Sequence, residues 1–462
     1  MNLSSVIEKA FRNLLPAPFT IAVVLTLITA LLAFVLVDSE ASGTGKVLEI
    51  LGFWEKGLWN APLMVFAMQM MLMLVLGHTL ALSKPFDVLI RQATRLCTNT
   101  ANAAAVVTFL TVSVALFNWG LGLIFGAILA RKVGDHAVET NIDLNYPLIG
   151  AAGYSGLMVW HGGISGSAPI KVAEEGHIRS LMEGILEPSQ IVELPHAITF
   201  SETVFSPMNI TATVAVLLLL PVFMYFIGKQ SKGGAYLPLK KPEMNLKTID
   251  ISGAEKLDHS NYFGFIIGAI AILHCVYLAF DGWSAEGFAF ITPNYINLLL
   301  LGLCLSLHRS IHRFLKGIDE AIGGASGILI QFPLYFGIMG IMNSSGLVQL
   351  FSDWFVNVSN ATTFPIFTLM SAGIVNVFVP SGGGQWGVQG PIIVQAASEL
   401  GVSLPKSIMA LAYGDQLTNM LQPFWALPLL GITGLKAKEI LPYTLALMVV
   451  GGLIYISVLI MF

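Results

Sequence analysis

The stretch that most limits what this chain can fold into is Val377-Phe378-Val379-Pro380-Ser381-Gly382-Gly383-Gly384-Gln385-Trp386-Gly387, set between two apolar runs, Phe364 to Asn376 and Val388 to Ala397. Each run is about 10–13 residues, whereas a helix needs roughly 20 to cross a hydrocarbon core. Together they suit a segment that enters a bilayer, turns at mid-depth and leaves on the same side. The turn holds Pro380 and four glycines, with Ser381 and Gln385 as its polar side chains. Backbone outside a helix is tolerated at that depth only where protein covers it or where it lines a cavity. A helix end there points free N–H or C=O groups into the cavity. The stretch is therefore expected to form half of a substrate and ion site, rather than a packing kink or a surface loop.

The membrane setting follows from composition. Of 462 residues, 55% are hydrophobic and 11% charged, where soluble chains carry about 25% charged residues. Cys97, Cys275 and Cys304 are scattered in or beside apolar segments and read as core residues, not as a disulfide or metal set. A net charge of −4 without a basic cluster gives no sign of nucleic acid. The first apolar run, Phe19 to Val37, has spanning length and no small-residue cleavage site after it, so it is read as a span rather than a signal peptide.

Taken in order, the chain shows an amphipathic start at 1–18, spans at 18–38 and 61–82 separated by a loop at 39–60, and a hairpin at 99–133 broken at Phe117-Asn118-Trp119-Gly120-Leu121-Gly122. A broken span at 145–169 follows, interrupted from Trp160 to Pro169, then an acidic loop at 170–200 and a span at 203–228. The lysine-rich segment 229–260 reads as a cytoplasmic linker. Spans at 261–280, 289–307 and 322–343 lead to the hairpin at 363–398, a broken span at 405–430 and a last span at 438–461. The expected fold is an all-α polytopic membrane protein with about nine spanning helices, the two broken ones among them, and two re-entrant hairpins. With the N-terminus in the cytoplasm, most of the 23 Lys and Arg lie on the inner side and only Lys46, Lys56, Lys171, Arg179 and Lys406 lie outside. The C-terminus then lies outside.

The order of element types repeats. Gly77 corresponds to Gly337, Asn118 falls one residue from Asn376, Ala152-Gly153-Tyr154 corresponds to Leu411-Ala412-Tyr413, and Ala168-Pro169 to Leu427-Pro428. A first repeat over 1–228, a linker and connecting span over 229–288, and a second repeat over 289–462 are expected. An odd number of crossings between the two starts makes the second copy inverted, the arrangement of secondary transporters with discontinuous helices.

The two hairpins, the two broken spans and the run Pro380-Ser381-Gly382-Gly383-Gly384-Gln385-Trp386 resemble the bacterial short-chain fatty acid transporter family, within the ion-transporter superfamily. The resemblance covers nearly the whole chain. It implies import of small monocarboxylates such as acetoacetate or butyrate across the inner membrane by symport with a cation. Kinship with the superfamily implies a homodimer of elevator type, with a fixed scaffold and a moving transport part. Carboxylate carriers of that superfamily place Ser-Asn-Thr at the hairpin tips, whereas these tips read Asn118-Trp119-Gly120 and Ser381-Gly382-Gly383. Their Na⁺ geometry is therefore not carried over.

The residues give a candidate site. No Lys or Arg lies at the centre of a broken element, so a carboxylate would be held by backbone N–H groups, hydroxyls, amides and a co-bound cation. The candidate substrate set is Asn118, Trp119, Gly120, Trp160, His161, Gly162, Gly163, Ser165, Ser167, Ser381, Gly382, Gly383, Gly384, Gln385, Trp386 and Asn419. The glycines allow close backbone approach, and the tryptophans either wall a short aliphatic tail or pack the hairpins. The cation-coupling candidates are Asn118, Ser381, Asp415, Thr418, Asn419 and Gln422. Oxygen-rich breaks suit Na⁺, the only metal expected, while His161 and Asp415 suit H⁺. His161 reads first as a neutral ring bonded to a carbonyl freed by the break, and second as a carboxylate ligand or proton relay. No cofactor and no catalytic residue is expected. A cation/proton antiporter or a dicarboxylate carrier of the same fold, a channel and an intramembrane enzyme are the competing readings.

Overall fold

The structure, a computed structural model, describes residues 16–38, 43–183, 186–231, 233, 253–286 and 290–462. The amphipathic start and most of the lysine-rich linker lie outside the described residues. Among those described, every regular element is a helix. Helices α1 (Pro18–Leu36), α2 (Thr44–Leu58), α3 (Ala61–Ala81) and α4 (Lys84–Thr94) lead to a pair, α5 (Thr100–Phe117) and α6 (Trp119–Glu139), joined by Asn118 alone. Helix α7 (Tyr146–Tyr154) ends in two short 3-10 turns, α8 (Ser167–Ala173) resumes after the break, and α9 (Pro207–Gln230) closes the half. The second half runs through α10 (Asn261–Glu286), α11 (Pro293–His308), α12 (Ile311–Ala321), α13 (Ser326–Ser344) and α14 (Leu347–Asn357). A second pair follows, α15 (Phe364–Phe378) and α16 (Gly382–Leu400), then α17 (Leu404–Thr418), a 3-10 turn, α18 (Pro423–Thr433) and α19 (Ala437–Met461). The order of helix, short helix, helix pair, broken helix and long helix occurs twice.

Local chemistry sets the helix starts. Asn60, Asn145, Ser206 and Thr292 each accept a backbone N–H three residues on, and a proline occupies one of the first two helical positions after each. Such caps satisfy N–H groups that no helical carbonyl can reach, and proline has no N–H to leave unpaired there. Asn118 caps α6 through Gly120 and Leu121, and Ser381 caps α16 through Gly384.

Several expectations change. Residues 44–58, read as loop, form α2, whose Gly57 lies so close to α13 that a Cβ would sit 2.4 Å from the Phe336 carbonyl oxygen. The acidic loop takes in the end of α8 and the short helices His177–Leu181 and Pro188–Glu193. Seven described helices are long and apolar enough to cross a membrane. The two broken spans are not continuous, α11 has only 16 residues, and the first arm of the first pair, α5, is itself of spanning length with 18. The glycine run is not the turn: α16 begins at Gly382, and the break is only Val379-Pro380-Ser381.

The helices pack as two groups. Helices α1, α2 and α3 pack with α13, and α3 also packs with α11, which lies along α10. Both pairs, both broken helices, α9 and α19 form the other group. The groups meet where α3 touches α6 and where α13 touches α18. Small residues let backbones come together within the second group. A Cβ on Gly126 of α6 would lie 2.0 Å from the Gly153 carbonyl oxygen of α7, and one on Gly414 of α17 would lie 2.1 Å from that of Leu369 on α15. Exposed Leu27 and Leu31 on α1, Leu218 on α9, and Ile270 and Leu273 on α10 form an apolar outer surface suited to lipid.

Candidate functional site

The two broken helices meet at a buried histidine–aspartate pair. His161, in the 3-10 turn after α7, places Nδ1 2.5 Å from Asp415 Oδ2 of α17, and both side chains are 0–1% exposed. The pair is fixed from several sides. His161 Nε2 accepts from the Ala168 N–H at 2.9 Å. Gln416 Oε1 accepts from the N–H groups of His161 and Gly162 at 2.9 and 3.0 Å. The Gly162 carbonyl accepts from Asn209 Nδ2 of α9 at 2.8 Å, and Asn209 Oδ1 accepts from the Tyr413 hydroxyl at 3.0 Å. Two charged or polar residues lost from such a network leave buried groups unpaired, which costs about 1–3 kcal/mol each.

The hairpin tip lies on this network. A Cβ on Gly382 would come 2.7 Å from Trp160 Cη2 and 2.9 Å from His161 Cε1, so glycine permits the contact. Gly383 is exposed, and the nearest atoms to a Cβ there are those of Ser167 at 4.0 Å. Ser165 Oγ accepts from the Trp119 N–H at 3.0 Å and ties the first break to the start of α6. Ser165, Ser167, Ser381 and Trp119 are half-buried, while Trp160 and His161 are buried. Burial thus deepens from the half-buried serines and Trp119, the mouth of the candidate site, to the pair. Trp160 stacks on His161 with centroids 4.6 Å apart, and Trp119 lies against Trp160 and Trp425 at 6.1 and 5.4 Å. Phe66 of α3 packs on Trp119 and Trp425, so the aromatic wall bridges the two helix groups. Trp160 Nε1 is buried with no hydrogen-bond partner.

The remaining candidates have other places. Asn118 caps α6 and donates to the Ile291 carbonyl at 3.4 Å, with Gly120 in the turn it caps. A Cβ on Gly163 would meet the Leu116 carbonyl oxygen at 2.4 Å, so this glycine serves the docking of the break on α5. Gln385 lies inside the second pair, donating to the Ala372 carbonyl at 2.8 Å and to Gln389 Oε1 at 2.7 Å. Trp386 donates to His177 Nε2 at 3.0 Å and belongs to a separate apolar cluster with Ile178 and Ile393. Gly384 donates its N–H to Ser381 Oγ.

The cation-coupling candidates divide. Asn118 and Ser381 use their oxygens as caps, and Asp415 Oδ2 faces His161. Thr418 and Asn419 accept from Asn376 Nδ2 at 3.0 and 2.9 Å, and Gln422 Nε2 donates to the Asn376 carbonyl. Asn376, Asn209 and Gln416 are organising amides outside the candidate site set read from the sequence, where Asn376 enters only as the repeat counterpart of Asn118. An amide within an apolar helix is costly unless satisfied, and that is the one signal that marks them. No group of three or more His, Cys, Asp or Glu that could hold a metal occurs among the described residues.

Residues 1–462 match the family described as short chain fatty acid transporter. A protein of Escherichia coli (strain K12), provisionally named a short-chain fatty acid transporter, is 36% identical over 465 residues, covering 100% of this chain and 99% of its own. A Haemophilus influenzae protein (strain ATCC 51907 / DSM 11121 / KW20 / Rd) with the same provisional name is 34% identical over 449 residues, or 96% of this chain and 95% of its own. Two solved structures are more distantly similar. The Alcanivorax borkumensis YdaH transporter is 14% identical with a TM-score of 0.46, covering 96% of this chain and 97% of its own. Neisseria gonorrhoeae MtrF, titled as illuminating a class of antimetabolite efflux pumps, is 14% identical with a TM-score of 0.42, covering 100% and 97%.

Proposed function

The chain belongs to the short chain fatty acid transporter family, whose members are transporters and not enzymes, and on that premise we propose that it imports short-chain fatty acids or similar small monocarboxylates, such as butyrate and acetoacetate, by cation symport. It is a multi-pass membrane protein with seven described helices of spanning length and composition. In our reading it sits in a bacterial inner membrane with the N-terminus in the cytoplasm and the C-terminus outside. The two halves act as inverted repeats, and the protein works as a homodimer in which the second helix group moves against the first.

One observation carries the substrate reading. Trp160 holds a buried indole N–H with no partner among the described residues, and the far edge of the same indole, Cη2, lies against the hairpin tip at Gly382. A carboxylate is the acceptor that such a donor suits, and the N–H groups of Gly382 and Gly383 at the start of α16 add two more donors. Trp119 and Trp160, tilted 59° to each other, give a short apolar tail an aromatic corner. The site has no Lys or Arg, so it favours one small carboxylate over a dicarboxylate. An anion entering a cell that is negative inside climbs about 2.3 kcal/mol per 100 mV, and a co-transported cation removes that cost.

The test is uptake of labelled butyrate and acetoacetate into proteoliposomes, with protein-free vesicles measuring leak of the neutral acid. Saturable, protein-dependent uptake in which the two acids compete is expected. Failure of every short acid to enter above leak, with the protein intact, would overturn the reading.

A further inference from the structure

We propose that His161 and Asp415 are one proton-binding unit, that the coupling ion is H⁺, and that the transport cycle is electrically silent. This rests on the monocarboxylate reading above and names its ion.

The hydrogen bonds fix the starting state. His161 Nε2 accepts from the Ala168 N–H at 2.9 Å and therefore carries no proton. The ring proton is on Nδ1, 2.5 Å from Asp415 Oδ2. With that one proton between them, the two side chains hold one net negative charge, 0–1% exposed. Among the described residues, none of the bonds to either side chain comes from a Lys or Arg. Lys171, Lys229, Lys406 and Lys438, and Glu399 and Glu439, stand in the first or last turns of the helices packed around the pair. Tyr146, Tyr154, Tyr225, Tyr413, Tyr443 and Tyr455 are the other ionisable groups on those helices. Tyr154 donates to the Asn419 and Gln422 carbonyls, Tyr413 to Asn209 Oδ1 and Tyr455 to the Met158 carbonyl, while Tyr443 accepts from Asn145.

A carboxylate at the hairpin tip meets this charge at once, because a Cβ on Gly382 would be only 2.9 Å from His161 Cε1. A second proton removes the repulsion. It goes to His161 Nε2, because the Trp160 face stacked 4.6 Å away stabilises an imidazolium. Protonated Nε2 becomes a donor and can no longer accept from Ala168. The freed Ala168 N–H, next in the chain to Ser167 at the mouth, becomes a further donor for the carboxylate. Proton and substrate thus each make room for the other. The empty unit carries one negative charge. The loaded unit carries a neutral ion pair and one anionic substrate, again one negative charge. Membrane potential therefore does not distinguish the two moving forms, and the proton gradient alone drives accumulation.

The experiment uses purified wild-type protein in weakly buffered detergent with a pH indicator, titrated with potassium butyrate or potassium acetoacetate. Saturable uptake of one proton per protein on binding is expected. In proteoliposomes, protein-dependent uptake should follow an inward proton gradient and ignore both Na⁺ and a valinomycin potential. Binding of the acid without proton uptake, a requirement for Na⁺ at equal pH on both sides, or a response to potential would each overturn the proposal while leaving the substrate reading intact. No saturable binding or uptake of either acid would overturn the substrate reading, and this proposal with it. In Asp415→Asn and His161→Gln the proton uptake should vanish, and whatever transport remains should lose its response to the pH gradient. If either variant fails to fold, the wild-type proton count still decides.

Discussion

Two neighbouring glycines at the tip of the second hairpin should respond in opposite ways to the same added methyl group. Gly382 and Gly383 are the first two residues of α16, and neither has a positive φ. Alanine at either gains about 0.5–1 kcal/mol over glycine from helix propensity. At Gly382 the new Cβ would meet Trp160 Cη2 at 2.7 Å and His161 Cε1 at 2.9 Å. Both rings are buried and held by stacking and by the Asp415 contact, so neither yields freely. Overpacking of this kind costs about 1–3 kcal/mol, which exceeds the propensity gain over most of that range. At Gly383 the nearest atoms are 4.0 Å away and the residue is exposed, so only the gain remains. Gly382→Ala should lower the thermal midpoint of the detergent-purified protein and reduce butyrate uptake about 5- to 30-fold, the factor matching 1–2 kcal/mol. Gly383→Ala should match or exceed wild type in stability and keep its uptake, whereas Gly383→Leu should block uptake by filling the space above Ser167. Equal behaviour of the two alanine variants would show that the tip does not rest on Trp160 and His161 as described.

Trp160→Phe keeps the stacked face and removes the unpartnered N–H; loss of a charge-assisted hydrogen bond of about 1.5–3 kcal/mol should weaken carboxylate affinity at least tenfold, read as a raised KM at near-normal membrane levels. Asn376→Ala removes the amide that donates to the Asp415 carbonyl, Thr418 and Asn419, and should lower thermal stability by about 1–3 kcal/mol. Ser381→Ala removes the α16 cap at about 1 kcal/mol, and uptake should fall with little change in expression. His177, outside the spanning helices, has its ring held below the ordinary 6.5 chiefly by burial, and its Nε2 accepts from Trp386. The unfolded chain then binds that proton more readily, so the stability it adds is full above about pH 6.5 and is lost as pH falls. Acidification should therefore lower the thermal midpoint of wild type more than that of His177→Gln.

The breaks were legible in the sequence because proline, glycine and serine clusters inside apolar runs leave few alternatives. The joints at Asn118 and at Pro380-Ser381 and the interruption after Thr418 lie where those clusters point, whereas the first broken helix leaves α geometry at Tyr154, before the expected interruption at Trp160. The glycine run reads as the turn itself because glycine disfavours helix in general, but the Ser381 cap satisfies the first helical turn that starts there. Helix α2 was hidden by its mixed charges, and only the glycines of α13 show what it packs on. His161 and Asp415 each stood out as ionisable groups at mid-span. Their contact joins residues 254 apart in the chain, and no local pattern encodes such a meeting. The sequence does not mark the site roles of Asn209, Asn376 and Gln416 for the same reason: a buried amide acquires its role only from the backbone groups that tertiary packing brings to it.

The close approach of Gly126 to Gly153, and of Gly414 to Leu369, has a mechanical consequence. Where one backbone rests on another there are no side-chain rotamers between them to rearrange, so these joints resist sliding and cannot be loosened by small torsional steps. Each helix pair is riveted to its broken helix, and a displacement imposed on one is delivered to the other undiminished. The soft seam is instead the aromatic one, where Phe66 faces Trp119 and Trp425 across the two helix groups. Flat rings can slip past one another there without breaking a hydrogen bond, so any sliding between the two groups is channelled to the wall beside the mouth.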